Sequence, residues 1–183
     1  FTIRNLELLS SNNSDGRSLL DVLDKTITPM GGRMLRKWII FPLKDVKKIK
    51  QRNSIVEEFC NKEGLLTIVR ERLQEFGDIE RILSKISAGK VSPKELIVLK
   101  ESINATNKIV QLIESNKKIK NSVESISELP EVTQKIEKEI FPDAPSVIGK
   151  GRLIADGVSE KLDEFRKIAK NGKNILLELQ QSE

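Results

Sequence analysis

The chain has 183 residues, of which 38% are apolar and 32% are charged, and its net charge is +5. A chain of this length forms one domain or two small ones, and it can bury roughly 70% of its unfolded surface without disulfide or metal staples. The sequence has no histidine and a single cysteine, Cys60. This excludes an internal disulfide, a structural zinc site and catalytic arrangements built on histidine. No apolar run approaches the ~20 residues of a membrane span, and we expect a cytoplasmic protein.

The apolar residues of this chain recur at three- and four-residue spacing, while aromatic residues make up only 4% of it. This pattern predicts an all-α protein built as a multi-helix bundle. In chain order, capping residues predict helix starts at Thr28, Asp45, Asp78 and Ser92, and the last of these begins a capping box with Glu95. The apolar spacing after Ser92 is typical of a coiled-coil seam, so we expect a long helix there.

The helix that follows Thr28 is predicted to be the central helix of the bundle. Its apolar residues cover more than one narrow stripe, so we expect neighbours on several sides. The glycine pair Gly31-Gly32 costs about 1 kcal/mol per residue relative to alanine. Either another part of the chain approaches this backbone closely, or the start of the helix is frayed. The predicted structural hub consists of Thr28, Pro29, Met30, Gly31, Met34, Leu35 and Trp38.

The positive charge is concentrated between residues 33 and 52, which carry a net charge of +7, whereas the rest of the chain carries −2. Cations on neighbouring helices could neutralise phosphates, and the chain would then be a self-contained helical module that binds nucleic acid. Alternatively, they form a solvated face or a docking surface for an acidic neighbour. The predicted nucleic-acid or domain-docking patch consists of Arg33, Arg36, Lys37, Lys44, Lys47 and Lys48.

The pair Gly89-Lys90 matches part of a phosphate-binding loop, but the rest of the motif is missing. The loop needs a glycine where Ser84 stands and a hydroxyl residue where Val91 stands. A glycine that ends a helix is the better interpretation. No pocket-forming element surrounds any pair of carboxylates in the sequence. We therefore predict no catalytic, cofactor-binding or metal-binding residue, and no enzyme activity, for this chain.

The last part of the sequence changes in character after Ser146. Two short apolar runs flank Gly149-Lys150-Gly151, which is typical of a β-hairpin, here near 146–155. From Gly157 onward, one apolar face predicts a continuous helix of about 40 Å. No stop signal precedes Glu183, so we expect this helix to continue in a longer protein. Its predicted apolar face consists of Val158, Leu162, Phe165, Ile168, Ile175 and Leu179.

The run from Ser18 to Leu43, which contains Thr28-Pro29-Met30-Gly31-Gly32-Arg33, strongly resembles the core domain of the MutS family of DNA mismatch-repair proteins. The resemblance is closest to the bacterial members. Supporting matches are Arg4-Asn5-Leu6-Glu7-Leu8, Gly77-Asp78-Ile79-Glu80-Arg81-Ile82 and the run from Gly157 to Arg166. Their order and spacing fit the whole chain.

This resemblance implies that residues 1–156 form a helical core domain and that residues 157–183 begin a lever helix leading to a clamp domain outside the chain. The implied role is structural and allosteric, because the lever of this family links the DNA clamp to the ATPase domain. The implied parent is a DNA-dependent ATPase and a homodimer, with no membrane association. It binds ATP, magnesium and mismatched duplex DNA through domains absent here, and those domains are the expected partners of this chain.

Overall fold

A computed structural model describes the backbone of residues 2–181 and the side chains of residues 2–172. This part of the chain is helical and contains no strand, so the predicted all-α fold is confirmed. No helix in it is both long and apolar enough to cross a membrane. The helices are α1 (Thr2–Asn5), α2 (Leu19–Leu23), α3 (Pro29–Ile40), α4 (Val46–Asn61), α5 (Glu63–Leu73), α6 (Ile79–Ser87), α7 (Pro93–Glu114), a 3₁₀ turn η1 (Lys120–Ser122), α8 (Pro130–Glu139) and α9 (Glu160–Gln181).

The central helix of the described residues is α7, which packs against α5, α6, α8 and η1. It begins with the predicted capping box: Ser92 Oγ accepts from the Glu95 amide (3.3 Å), and Glu95 Oε2 accepts from the Ser92 amide (2.9 Å). Its seam residues Leu99 and Ile103 pack with α6 and α8, whereas Val110 and Ile113 join a second cluster around η1. The core is therefore two apolar clusters arranged along one helix.

The prediction that α3 is the enclosed, central helix is wrong for the described residues, because none of its residues is buried. Met34 is 54% exposed and Trp38 is 42% exposed. The apolar residues of α3 do cover more than one stripe. The loop before it and α2 pack along the helix, and single side chains reach it from α4 and from the start of α6. The face that carries Met34 and Trp38 is left largely exposed.

The close approach predicted at Gly31-Gly32 is confirmed, and the approaching segment is the loop that leads into α3. A Cβ on Gly31 would lie 3.3 Å from Thr26 Cβ, and one on Gly32 would lie 3.3 Å from Thr26 Oγ1. The start of α3 is capped rather than frayed, since Thr28 Oγ1 accepts from the Gly31 amide (3.1 Å). Glycine is favoured here because larger residues would displace the entry loop.

The hairpin predicted near 146–155 is not formed in the described residues. Gly149 and Gly151 have positive φ angles, so residues 146–151 form turns, and the adjacent Ile148 is 74% exposed. Ile154 instead pairs antiparallel with Ile140, at the end of α8. Ile140 packs against the core cluster formed by α6, α7 and α8. This apolar packing stabilises the long-range pairing, whereas a hairpin within residues 146–155 would have no such contact. The predicted long C-terminal helix is confirmed as α9.

Candidate functional site

The residues predicted to carry function lie in two regions, one along α3 and the first turn of α4, and one at the start of α9. On α3, Met30, Met34, Trp38 and Phe41 line a common groove of about 440 Å³. Arg52 of α4 closes its far side, with its guanidinium carbon 3.7 Å from the centre of the Trp38 ring, in a cation–π contact. This groove, the α3–α4 groove, brings together three of the seven hub residues.

The other hub residues have local roles at α3. Thr28 caps the helix and Pro29 occupies its first position, where a missing N–H costs nothing. Gly31 accommodates the entry loop. Leu35 is half-buried and is not among the residues that line the α3–α4 groove.

Arg33 belongs to the predicted basic patch, but the fold uses it to hold α3 against the start of α6. Arg33 Nη2 donates to Asp78 Oδ1 (2.6 Å), and Nε donates to Glu80 Oε2 (2.8 Å). These hydrogen bonds raise the pKa of Arg33 above its ordinary value, and the Arg33 guanidinium holds the pKa of Asp78 below its own. Asp78 also caps α6, since its Oδ1 accepts from the Arg81 amide (3.2 Å).

The remaining cations of the predicted patch are exposed, and within residues 2–172 none of them forms an ion pair. Lys37 lies on the rim of the α3–α4 groove. Asp45 is the single acidic residue of the stretch, and it caps α4 by accepting from the Lys47 amide (2.8 Å). The cations without ion pairs are Arg36, Lys37, Lys44, Lys47 and Lys48.

At the start of α9, Arg166 connects the helix to the segment that precedes it. Its Nη2 donates to the Ile154 carbonyl oxygen (2.8 Å), and its Nη1 donates to Asp163 Oδ1 (3.1 Å) and Asp156 Oδ1 (3.2 Å). Asp163 Oδ2 in turn accepts from the Gly157 amide (2.7 Å). Because Ile154 pairs with the end of α8, these contacts join α8, the intervening segment and α9.

The predicted apolar face of α9 is covered only in part. Leu162 is half-buried beside Leu153 and Ile154, whereas Phe165 is 58% exposed and Ile168 is 67% exposed. Val158 precedes the helix and is also exposed. The side chains of the last two predicted members, Ile175 and Leu179, lie outside the described residues.

The sequence analysis missed a buried carboxylate on α4. Glu58 is 3% exposed and accepts from Asn116 Nδ2 (2.9 Å), while Lys62 (2.8 Å) and Lys118 (3.2 Å) form ion pairs with it. Lys62, followed by Asn116, lowers the pKa of Glu58 to about 2. Only Lys62, at i,i+4 spacing, is visible as a partner in the sequence. No cluster of three or more potential metal ligands occurs in the described part of the chain.

Comparison with known proteins gives one consistent result. A family model described as MutS domain III matches residues 1–182. A DNA mismatch repair protein MutS from Parabacteroides distasonis is 44% identical over 185 positions, which cover 100% of this chain and 21% of that protein. Proteins of the same name from Bacteroides fragilis and Porphyromonas gingivalis are 44% and 43% identical, and the chain covers 22% and 21% of them. The chain thus spans about a fifth of the length of these relatives.

Proposed function

The chain belongs to the MutS family of DNA mismatch-repair proteins, and on this basis we propose that it is the structural core of a longer mismatch-repair protein, together with the first part of its lever. Residues 1–156 would be the core domain, and residues 157–183 would begin the lever. The proposal assigns ATP, magnesium and mismatched duplex DNA to domains outside this chain, in a homodimeric cytoplasmic parent. A self-contained nucleic-acid module is not favoured, because the whole chain matches one region of much longer proteins.

The observation that carries the lever proposal is the way α9 is held at its first turns. A helix transmits displacement along its axis only if its base moves with the body from which it projects, and close-packed contacts resist compression. Arg166 supplies this attachment through the Ile154 carbonyl oxygen and Asp156, both in the segment that precedes α9. From this base, the 22 residues of α9 extend about 33 Å. A displacement of the core would therefore be delivered at a distance.

The experiment is an Arg166→Ala substitution in the full-length protein that contains this chain. Losing hydrogen bonds to a charged group costs about 1.5–3 kcal/mol, so the base of α9 becomes free to move relative to α8. We expect mismatched DNA to be bound, and ATP to be hydrolysed in the absence of DNA, within about twofold of the wild-type levels. The stimulation of ATP hydrolysis by mismatched DNA should fall at least about fivefold.

The matched control is Lys167→Ala, which removes the neighbouring exposed cation but no hydrogen bond or ion pair among the described residues. This variant should keep its stimulation. If Arg166→Ala also keeps it, or if both variants lose it equally, the attachment of α9 does not transmit the signal and the lever assignment is wrong.

A further inference from the structure

We propose that the α3–α4 groove binds an acidic amphipathic helix that belongs to the same longer polypeptide and lies outside residues 1–183. The floor of the groove is apolar and exposed: Phe41 is 70% exposed, Met34 is 54% exposed and Trp38 is 42% exposed. Clusters of large apolar side chains open to solvent are typical of interaction sites. This inference rests on the proposed function only in assigning the occupant to the same polypeptide.

The spacing of the floor residues matches a helical occupant. Met30, Met34 and Trp38 follow one another at intervals of four residues along α3, and Phe41 comes three residues later, at the C-cap of the helix. Met30, Met34 and Trp38 therefore form one stripe on a face of α3, about 12 Å long, and Phe41, the C-cap residue, continues the groove beyond the end of the helix. An amphipathic helix of about three turns can lie along such a stripe and insert its own apolar residues at i, i+3, i+4 and i+7.

The charges around the groove specify an acidic occupant. Lys37 lies on its rim, and Arg36 extends the positive surface along α3 without an ion pair among the described residues. The one acidic residue in the lining of the groove, Glu80, is already held by Arg33. Opposite charges across an interface fix the register and exclude wrong partners, so glutamates or aspartates are expected beside the apolar face of the occupant.

Two other occupants fit the same observations less well. A nucleic acid would stack bases on the aromatic rings, but Arg52 already covers one face of the Trp38 ring at 3.7 Å. A second copy of this chain, docked through a twofold axis, would bring two stretches of charge +7 together. A helix from the same polypeptide needs no base stacking on Trp38 and brings no second basic stretch. Such a segment is available in the relatives, because about four-fifths of their length lies outside the region that matches this chain.

The test uses this chain and a synthetic amphipathic peptide of about three helical turns, with leucines on one face and glutamates on both flanks. Binding is measured by anisotropy of the fluorescein-labelled peptide and by the emission of Trp38, the only tryptophan in the chain. We expect a dissociation constant on the order of 100 μM, because the natural occupant is tethered and needs little affinity of its own. The emission of Trp38 should shift to shorter wavelength as water leaves the groove.

Two variants locate the binding site. Phe41→Ala should weaken binding at least about tenfold, as expected for an aromatic anchor. Phe165→Ala is the matched control, since Phe165 is also a largely exposed phenylalanine but lies on α9. It should leave binding within about twofold. Lys37→Glu should weaken binding of the glutamate peptide and strengthen that of a lysine-flanked peptide, whereas Lys90→Glu, at an exposed position between α6 and α7, should do neither.

Three results would overturn the proposal. The first is equal binding of a scrambled peptide, or equal losses for Phe41→Ala and Phe165→Ala. The second is a dimer in sedimentation that Phe41→Ala abolishes, which would assign the groove to a second copy. The third is a duplex DNA titration that changes Trp38 emission with no peptide bound. None of these results bears on the Arg166 experiment, so the lever proposal is tested separately.

Discussion

At Gly77 the chain passes so close to α7 that no side chain fits. The Gly77 amide donates to Ser102 Oγ (3.0 Å), and Ser102 is completely buried. A Cβ at Gly77 would overlap Val98 Cγ1 on the same helix. This glycine therefore sets the distance between α7 and the segment that leads into α6.

We expect Gly77→Ala to destabilise the protein by about 1–3 kcal/mol, because the added methyl group must push α7 and the α6 entry apart. In a chain of this size, each kcal/mol lowers the thermal midpoint by about 2–4 °C, which circular dichroism can follow. Gly64→Ala is the control: Gly64 lies in α5 with open space around its Cα, and alanine is the better helix former there. A fall of equal size in both variants would argue against overlap as the cause.

At the scale of the elements, the starts of the helices could be predicted from the sequence, but their packing could not. Thr28, Asp45, Asp78 and Ser92 cap α3, α4, α6 and α7 as predicted, because a cap is a hydrogen bond to a residue two or three positions away. The pairing of Ile140 with Ile154 joins distant residues and leaves no local signal.

The candidate site could likewise be predicted only in part from the sequence. The hub residues from Thr28 to Trp38 and the basic patch could be picked out in the sequence, but the sequence did not show which cations form ion pairs. The partners of Arg33 lie on α6, more than forty residues away. Burial of α3 was predicted wrongly because an apolar face shows only that a neighbour is favoured. It does not show that the neighbour lies within the same 183 residues.

The Glu58 cluster, which connects α4 to the segment after α7, makes stability depend on pH. The pKa of Glu58 is about 2 in the folded protein, below its ordinary value of 4.5, mainly because of Lys62. A carboxylate with a lowered folded-state pKa stabilises the fold above its unfolded pKa and loses that contribution as pH falls. The loss is expected between about pH 5 and pH 2.

Urea unfolding at a series of pH values tests this with Glu58→Gln. The variant should be less stable than the wild type at neutral pH, and the difference should shrink through the acid range as the wild-type carboxylate is protonated. Glu57→Gln alters an exposed neighbour on the same helix and should parallel the wild type. A constant difference between wild type and Glu58→Gln at all pH values would mean that packing, rather than charge, sets the role of Glu58.

For the molecule as a whole, the packing predicts unequal local stability. Six residues of α7 are buried, and four of them belong to the two core clusters, whereas no residue of α3 is buried. Amides of α7 should therefore exchange with solvent through global unfolding, and those of α3 through local opening at lower free energy. Native-state hydrogen exchange at rising denaturant concentration measures both. Equal exchange free energies and equal denaturant slopes for the two helices would contradict this division.

The Asp78 carboxylate makes two kinds of contact, one within α6 and one with α3. One oxygen of its carboxylate caps α6, and both oxygens receive the guanidinium of Arg33, so the same side chain begins one helix and holds another. Asparagine at this position could still cap the helix, since it accepts hydrogen bonds as aspartate does, but it would offer Arg33 no negative charge. Asp78→Asn should thus keep the cap of α6 while weakening the hold on α3, which would then rest on the Arg33–Glu80 contact. The charge of one carboxylate therefore strengthens the contact between α3 and the core without being needed to begin α6.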